Sequence, residues 1–283
     1  MDHDTADPRT IAVASEPEGP ASDPDVGERH RGRPRRHREW RTGGTSVQHW
    51  NWVLIGWGIL ALGAAVLVST AATEFVGGVA GAWIGTAAVW LALLLPVVFA
   101  FRVSVPRGLL RFRPVDLLFG LVLGVALRFL AGGLSEAANG GVSVWPVPLT
   151  VDGALPGGWW FDGVLVPVLV APVLEEFFFH GFLLVALFTV FRRLTASRPV
   201  AGAGALLVST GLFLLLHQLT GSLAPGWDGA ISITLVGLVG GLLVLLTGRI
   251  WSALLLHVAF NGTYVALMLV GALVGVGPGA GLS

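Results

Sequence analysis

Long apolar runs, separated by short polar segments, make up most of the chain after residue 49. Seven of these runs are long enough to cross the roughly 30 Å hydrocarbon core of a membrane at about 1.5 Å per helical residue. They cover residues 50–72, 79–101, 115–135, 162–190, 200–219, 230–248 and 250–275. The pattern predicts an all-α polytopic membrane protein with about seven transmembrane helices.

The fourth run is the longest, and it contains Pro167 and Pro172. Proline lacks a backbone N–H and disturbs the helical turn before it. We therefore expect this helix to be tilted, kinked or preceded by an interfacial segment.

Composition supports a membrane protein. The 283 residues are 54% hydrophobic and 12% charged, and the mean hydropathy of +0.78 leaves too little polar surface for a soluble domain. Cysteine and lysine are absent, which excludes disulfides, thiolate chemistry and a Schiff-base lysine. The chain also lacks GxGxxG and Walker-type loops, so we expect no nucleotide partner.

The first 48 residues are rich in charged residues and proline and poor in large apolar residues, which predicts a disordered tail. Seven arginines lie between Arg29 and Arg41. Because this basic block adjoins the first apolar run, it favours an anchor at the cytoplasmic membrane surface over a nucleic-acid-binding arm. We expect the lipid bilayer, and no nucleic acid, as its partner.

Arginines alternate between the connections that join the apolar runs. Four lie at 102–114, three at 192–198 and one, Arg249, between the last two runs, whereas the intervening connections contain none. Cytoplasmic loops carry the excess of basic residues. The alternation therefore predicts a multi-pass protein of the cell membrane with a cytoplasmic amino terminus.

Polar side chains capable of acid–base chemistry interrupt three of the apolar runs. They are Glu175, Glu176 and His180 in the fourth run, His217 in the fifth, and His257 and Asn261 in the seventh. A charged side chain in hydrocarbon costs at least about 2.5 kcal/mol, so the default explanation for one such residue is a buried ion pair. Adjacent residues of a helix point about 100° apart, however, so one packing partner would not neutralise both glutamates. Together these residues predict an intramembrane polar site.

Three short patterns contain these residues: Glu175-Glu176-x-x-x-His180, Phe213-x-x-x-His217 and His257-x-x-x-Asn261. In order and spacing they resemble the motifs of the CPBP intramembrane proteases, also called the Abi or CAAX protease family, over roughly residues 150–265. The resemblance implies an all-helical membrane peptidase that hydrolyses a peptide bond of a membrane-associated protein or peptide. Together with the apolar runs, it predicts N-terminal transmembrane helices and a loop (49–149), a catalytic core (150–275) and a short tail (276–283).

The same resemblance implies roles for individual residues. Glu175 corresponds to the catalytic glutamate, with Glu176 beside it in the motif, and His217 to its partner in activating water. His257 and Asn261 correspond to the pair that faces the developing oxyanion. General-base catalysis and hydrogen bonding to an oxyanion are both within the chemistry of these side chains.

His180 stands where the family usually has an arginine. Because it lies four residues after Glu176, we expect it to be the structural partner of that carboxylate, although histidine is charged only part of the time near neutral pH. On this interpretation His180→Arg, which supplies a permanent charge, preserves or raises activity.

Glu175, His217 and His257 form an alternative zinc-binding set, since two histidines and a glutamate are known ligands of catalytic Zn²⁺. Asn261 is a poor zinc ligand and suits an oxyanion hole, which favours a metal-free glutamate mechanism. The residues alone do not decide between the two.

Two other functions would use the same residues. A non-catalytic scaffold or immunity protein of the same family would bind a partner helix without cutting it. A proton- or metal-coupled transporter would carry an ion along the polar residues. Transporters often contain inverted repeats with paired broken helices, which this sequence does not show.

Arg128 lies in the middle of the third run. It could neutralise an acid of the polar site or meet a substrate carboxylate. We expect instead a structural ion pair, which is the default for a single intramembrane charge.

Overall fold

The computed structural model of the chain describes residues 38–141, 146, 155, 157–222 and 227–273. Within these ranges, seven helices are long and apolar enough to cross a membrane, and there is no β-strand. The helices are α1 (Trp52–Val76), α2 (Gly78–Val103), α3 (Pro114–Ala138), α4 (Phe161–Thr195), α5 (Arg198–Leu219), α6 (Trp227–Thr247) and α7 (Trp251–Leu273). The predicted fold class is confirmed, and each helix overlaps one apolar run.

The helix α4 lies at the centre of the bundle. Every residue from Phe178 to Val190 is buried. Phe178 packs against Phe179 and Phe182 with ring centroids 5.0 and 5.5 Å apart. The helix that carries both glutamates is therefore held on all sides over its second half.

The same helix departs from regular α-helical geometry, and its π-helical segments were not predicted. It is π-helical over Phe161–Val170 and Glu176–Leu183, and α-helical over Ala171–Glu175 and Leu184–Thr195. Pro167 lies within the first π-helical segment and Pro172 at the start of the α-helical segment that follows. The change of helix type falls between Glu175 and Glu176, and π-helical turns are frequent at functional sites.

Glycines four residues apart bring α3 close to α7. A Cβ atom added at Gly124 would lie 2.5 Å from Leu256 O and 2.6 Å from Ala259 Cβ, and Gly120 is equally close to α7. Only glycine permits this separation of the two backbones. The helix α3 therefore sets the position of α7 beside His257.

A buried ion pair joins the beginnings of α3 and α7. Asp116 is fully buried and accepts hydrogen bonds from Arg249 Nε at 2.9 Å, Arg249 Nη2 at 2.8 Å and Ser252 Oγ at 2.6 Å. Arg249 is one of the arginines of the connections, yet only 9% of it is exposed. The two-pronged contact satisfies both charges where water does not reach them.

The segment before α1, residues 38–51, is ordered and packs on the bundle. It forms two 3₁₀-helices, Trp40–Thr42 and Thr45–Val47. Trp40 is 1% exposed, donates from Nε1 to Gly248 O at 3.0 Å and packs edge-on against Phe188. The prediction of disorder through residue 48 is therefore wrong for residues 38–48, because large side chains here are buried. The rest of the predicted tail, 1–37, and the predicted tail at 276–283 lie outside the described residues.

Arg128 makes no ion pair with any described residue, so the expectation of one is wrong for this part of the chain. Its guanidinium carbon lies 4.6 Å from the centre of the Phe260 ring and 5.1 Å from that of Tyr264. Aromatic faces attract a cation electrostatically. The charge on α3 is therefore accommodated by rings of α7.

Candidate active site

Glu175 lies between two histidines from other helices. Its Oε1 is 3.6 Å from His217 Nε2 on α5, and its Oε2 is 3.8 Å from His257 Nε2 on α7. The side chains of Glu175 and His217 are each 14% exposed and that of His257 is 7% exposed. Three groups that can exchange protons thus border one small volume with restricted access.

The second ring nitrogen of each histidine faces an acceptor. His217 Nδ1 lies 2.9 Å from Phe213 O, and because a carbonyl only accepts, Nδ1 carries a proton. His257 Nδ1 lies 3.0 Å from Glu176 Oε1 and donates to it when that carboxyl group is ionised. A neutral ring protonated on Nδ1 presents the lone pair of Nε2. In their neutral forms, both histidines therefore face Glu175 with a proton-accepting atom.

Glu176 is 1% exposed and is hydrogen-bonded through both oxygens, to His257 and to His180. The expected contact with His180 is present, with Nδ1 2.6 Å from Oε2. His180 Nε2 lies 3.1 Å from Gly237 O and must be the donor there. The contact between His180 Nδ1 and Glu176 then holds one proton, shared as imidazolium and carboxylate or as imidazole and carboxylic acid. Either form fixes Glu176 in place.

Glycines of α6 enclose His180. A Cβ atom added at Gly240 or Gly241 would lie 3.2 Å from its ring. Arginine at this position would be longer and would bring five N–H donors into the same space. The enclosure argues against the expectation that His180→Arg preserves or raises activity.

The amide of Asn261 contacts a backbone carbonyl, Pro167 O, to which Nδ2 donates at 2.7 Å. In a π-helix the carbonyl of residue i accepts from residue i+5, but Pro172 has no N–H to give. The N–H of Ala171 donates to Val166 O instead. The carbonyl of Pro167 is left for α7, and one of the two N–H donors of Asn261 is occupied by it.

Within the described residues, no group of three or more His, Asp or Glu side chains has the arrangement of a metal site. The zinc set considered above has His217 Nε2 and His257 Nε2 at 3.6 and 3.8 Å from the oxygens of Glu175. Atoms bound about 2.0–2.1 Å from one tetrahedral zinc lie about 3.4 Å apart, which is closer than these. A zinc ion would need these side chains to move closer together by about 0.2–0.4 Å.

Backbone carbonyls orient several of these side chains, and of the residues that supply them only Phe213 belongs to one of the three sequence patterns. Gly237 O holds His180, Phe213 O holds His217 and Pro167 O holds Asn261. The signals that were available are indirect: glycine on one face of α6 and proline in α4. The polar site therefore depends on helix geometry as much as on the motif residues.

Fold and contacts together define a multi-pass helical membrane protein in which carboxylates and histidines from separate helices meet at one intramembrane site. Residues 157–263 match the family model described as type II CAAX prenyl endopeptidase Rce1-like. No curated protein and no solved structure matches the chain. This part of the chain is an Rce1-like domain, which confirms the resemblance to the CAAX proteases and supports a hydrolase. The domain includes every candidate site residue from Glu175 to Asn261.

Proposed function

We propose that the chain is an intramembrane endopeptidase that hydrolyses a peptide bond of a membrane-associated protein or peptide, with a water molecule activated by Glu175 and His217. The observation that carries the proposal is the position of the Glu175 carboxylate between the Nε2 atoms of His217 and His257. General-base catalysis needs a proton acceptor within reach of the attacking water. Glu175 and His217 both offer one to a water placed between them.

In the proposed reaction the water oxygen bonds to the carbonyl carbon of the substrate while its proton passes to Glu175. The carbonyl oxygen becomes the oxyanion of a tetrahedral intermediate. The C–N bond then breaks, and the protonated Glu175 returns the proton to the leaving amine. No step needs another reactant.

His257 stabilises the oxyanion in this proposal. A protonated His257 donates from Nε2 to the oxyanion while Glu176 accepts from Nδ1 and fixes the orientation of the ring. The second N–H of Asn261, one helical turn further along α7, supplies another donor. A single well-placed donor of this kind contributes about 3–4 kcal/mol.

A largely apolar cavity lies against the helix that carries the two glutamates. It has a volume of about 450 Å³ between α2 and α4. Its lining residues are Leu93, Leu94, Val97, Val98, Phe101, Arg102, Val173, Leu174 and Phe177. Val173, Leu174 and Phe177 lie on a face of α4 that points away from Glu175, so the helix separates a group bound here from the reacting carboxylate.

Peptide cleavage by the purified full-length protein tests the proposal. Glu175→Gln keeps size and hydrogen bonding but removes proton acceptance, so it should lower the rate by about 10² or more. Glu136→Gln is the matched control, because Glu136 is exposed near the end of α3. Rates should be measured on a library of membrane-anchored peptides and normalised to folded protein.

Each alternative predicts a different outcome of the same experiment. Wild-type rates in Glu175→Gln would refute the mechanism, and loss of cleavage on chelation that Zn²⁺ restores would favour the metal-dependent one. No cleavage by any form would favour the scaffold. Ion uptake into vesicles that depends on Glu175 would favour the transporter.

A further inference from the structure

A second cavity, of about 400 Å³, lies between the N-terminal segment 38–51 and the last turns of α4. Its polar lining residues are Arg41, Thr45 and Gln48 from the segment and Thr189, Arg192 and Arg193 from α4. No Asp or Glu is among the described residues that line it. The cavity is therefore bordered by cations and neutral donors.

The arginines use only part of their hydrogen-bonding capacity on the protein. Arg192 and Arg193 each use one terminal nitrogen on backbone carbonyls, whereas Arg41 uses two, one of them on Glu39. Arg41 Nε is buried and has no acceptor within the described part of the chain. Each guanidinium has five N–H donors. Among the described residues, Glu39 is the acid that pairs with one of these three arginines, Arg41. The group of three arginines therefore keeps a net positive charge and N–H donors that are not used by the described part of the chain.

The position of the cavity along the transmembrane helices indicates which ligand it binds. It lies where transmembrane helices end: α4 ends at Thr195, α1 begins at Trp52, and Arg41 donates to Leu246 O near the end of α6. Helices end where hydrocarbon gives way to lipid headgroups. This is also the side predicted to be cytoplasmic, where anionic lipids are concentrated.

We propose that this cavity binds the phosphate-bearing headgroup of an anionic phospholipid, with Arg41, Arg192 and Arg193 as donors. Arginine presents its donors in a planar fork that matches the geometry of a phosphate. One wall of the cavity is the N-terminal segment and the other is the helix of Glu175 and Glu176. A bound headgroup therefore joins the segment to the helix that carries the site, and this binding does not depend on peptidase activity.

Thermal unfolding of the full-length protein in detergent tests the proposal. Phosphatidylglycerol, compared with phosphatidylcholine, should raise the melting temperature of the wild type. Arg192→Gln should reduce that shift by at least half. Thr45→Asp, an exposed position where a carboxylate would repel the phosphate while every arginine stays in place, should abolish it. Arg198→Gln is the matched control, because it removes an exposed arginine on the same side that does not line the cavity.

The variants separate a site from general charge attraction. Equal shifts in all four proteins, or an equal reduction in Arg198→Gln and Arg192→Gln, would overturn the proposal. Inorganic phosphate should give no saturable shift. If inorganic phosphate raised the melting temperature as the lipid does, and Thr45→Asp abolished that increase, the site would bind a soluble phosphorylated ligand. The proposal of a phospholipid would then be refuted.

Discussion

Replacing His180 with arginine tests how the protein holds its second carboxylate. The ring of His180 lies between α4 and α6, and its two nitrogens each have one partner, Glu176 Oε2 and Gly237 O. Arginine would bring five donors to these two acceptors. Overpacking costs about 1–3 kcal/mol, and each buried donor without an acceptor adds about 1–3 kcal/mol. The charge that arginine supplies therefore comes with a structural penalty at this position.

We expect His180→Arg to lose at least about 1–3 kcal/mol of stability. At about 2–4 °C per kcal/mol for chains of roughly 150–250 residues, the melting temperature should fall by about 2–12 °C. Thermal unfolding in detergent measures the change, and His49→Arg is the matched control because His49 is exposed. A variant that melts at or above the wild-type temperature and cleaves peptides at least as fast would refute the argument from enclosure.

Three further predictions concern packing and orientation. Asp116→Asn leaves Arg249 buried without its charge partner and should lower the free energy of unfolding by about 3–5 kcal/mol, and an unchanged melting temperature would contradict this. Gly124→Ala should push α7 away from α3, costing about 1–3 kcal/mol and lowering cleavage per folded molecule. Gly132→Ala, where nothing lies within 4 Å of an added Cβ, should do neither. Ser197→Cys should be labelled only from the cytoplasmic side in this chain without native cysteine, and labelling from outside intact cells would refute the orientation.

The helices were predictable because a membrane-spanning helix requires a long, uninterrupted run of apolar residues. About 20 apolar residues in succession suffice to cross the bilayer, so the apolar runs located all seven helices to within a few residues. The polar residues were equally visible, since Glu175, His217 and His257 stand out against hydrocarbon neighbours. Their meeting in space was predicted from their i+4 patterns and their location in three apolar runs, and not from the depth of each residue in its helix.

The distance of each histidine from the start of its helix did not indicate that the two histidines meet. His217 lies about 28 Å along α5 from Arg198, whereas His257 lies only about 9 Å along α7 from Trp251. Both nevertheless come within 4 Å of Glu175. The first residues of α5 and α7 therefore do not lie at the same level as each other relative to Glu175. Counting residues from the start of each helix cannot reveal this difference.

Tertiary contacts overrode local composition at two other places. Trp40 orders a segment whose neighbours in sequence are charged, because its ring finds a buried site on α4 and a carbonyl to bind. Arg128 found aromatic rings rather than an acid. In each case the partner lies far away in the chain, so no local pattern could indicate it.

Pro172 has a consequence for the alignment of the helices. Hydrocarbon does not tolerate an unpaired carbonyl, so the acceptor that Pro172 leaves at Pro167 obliges another helix to supply an N–H. Asn261 supplies it, and α7 cannot slide or rotate by a turn against α4 without exposing that carbonyl to lipid. Pro172, which weakens α4 as an isolated helix, thereby fixes the position of α7 along α4. His257 lies one turn before Asn261 on α7, so the same contact keeps His257 level with Glu175.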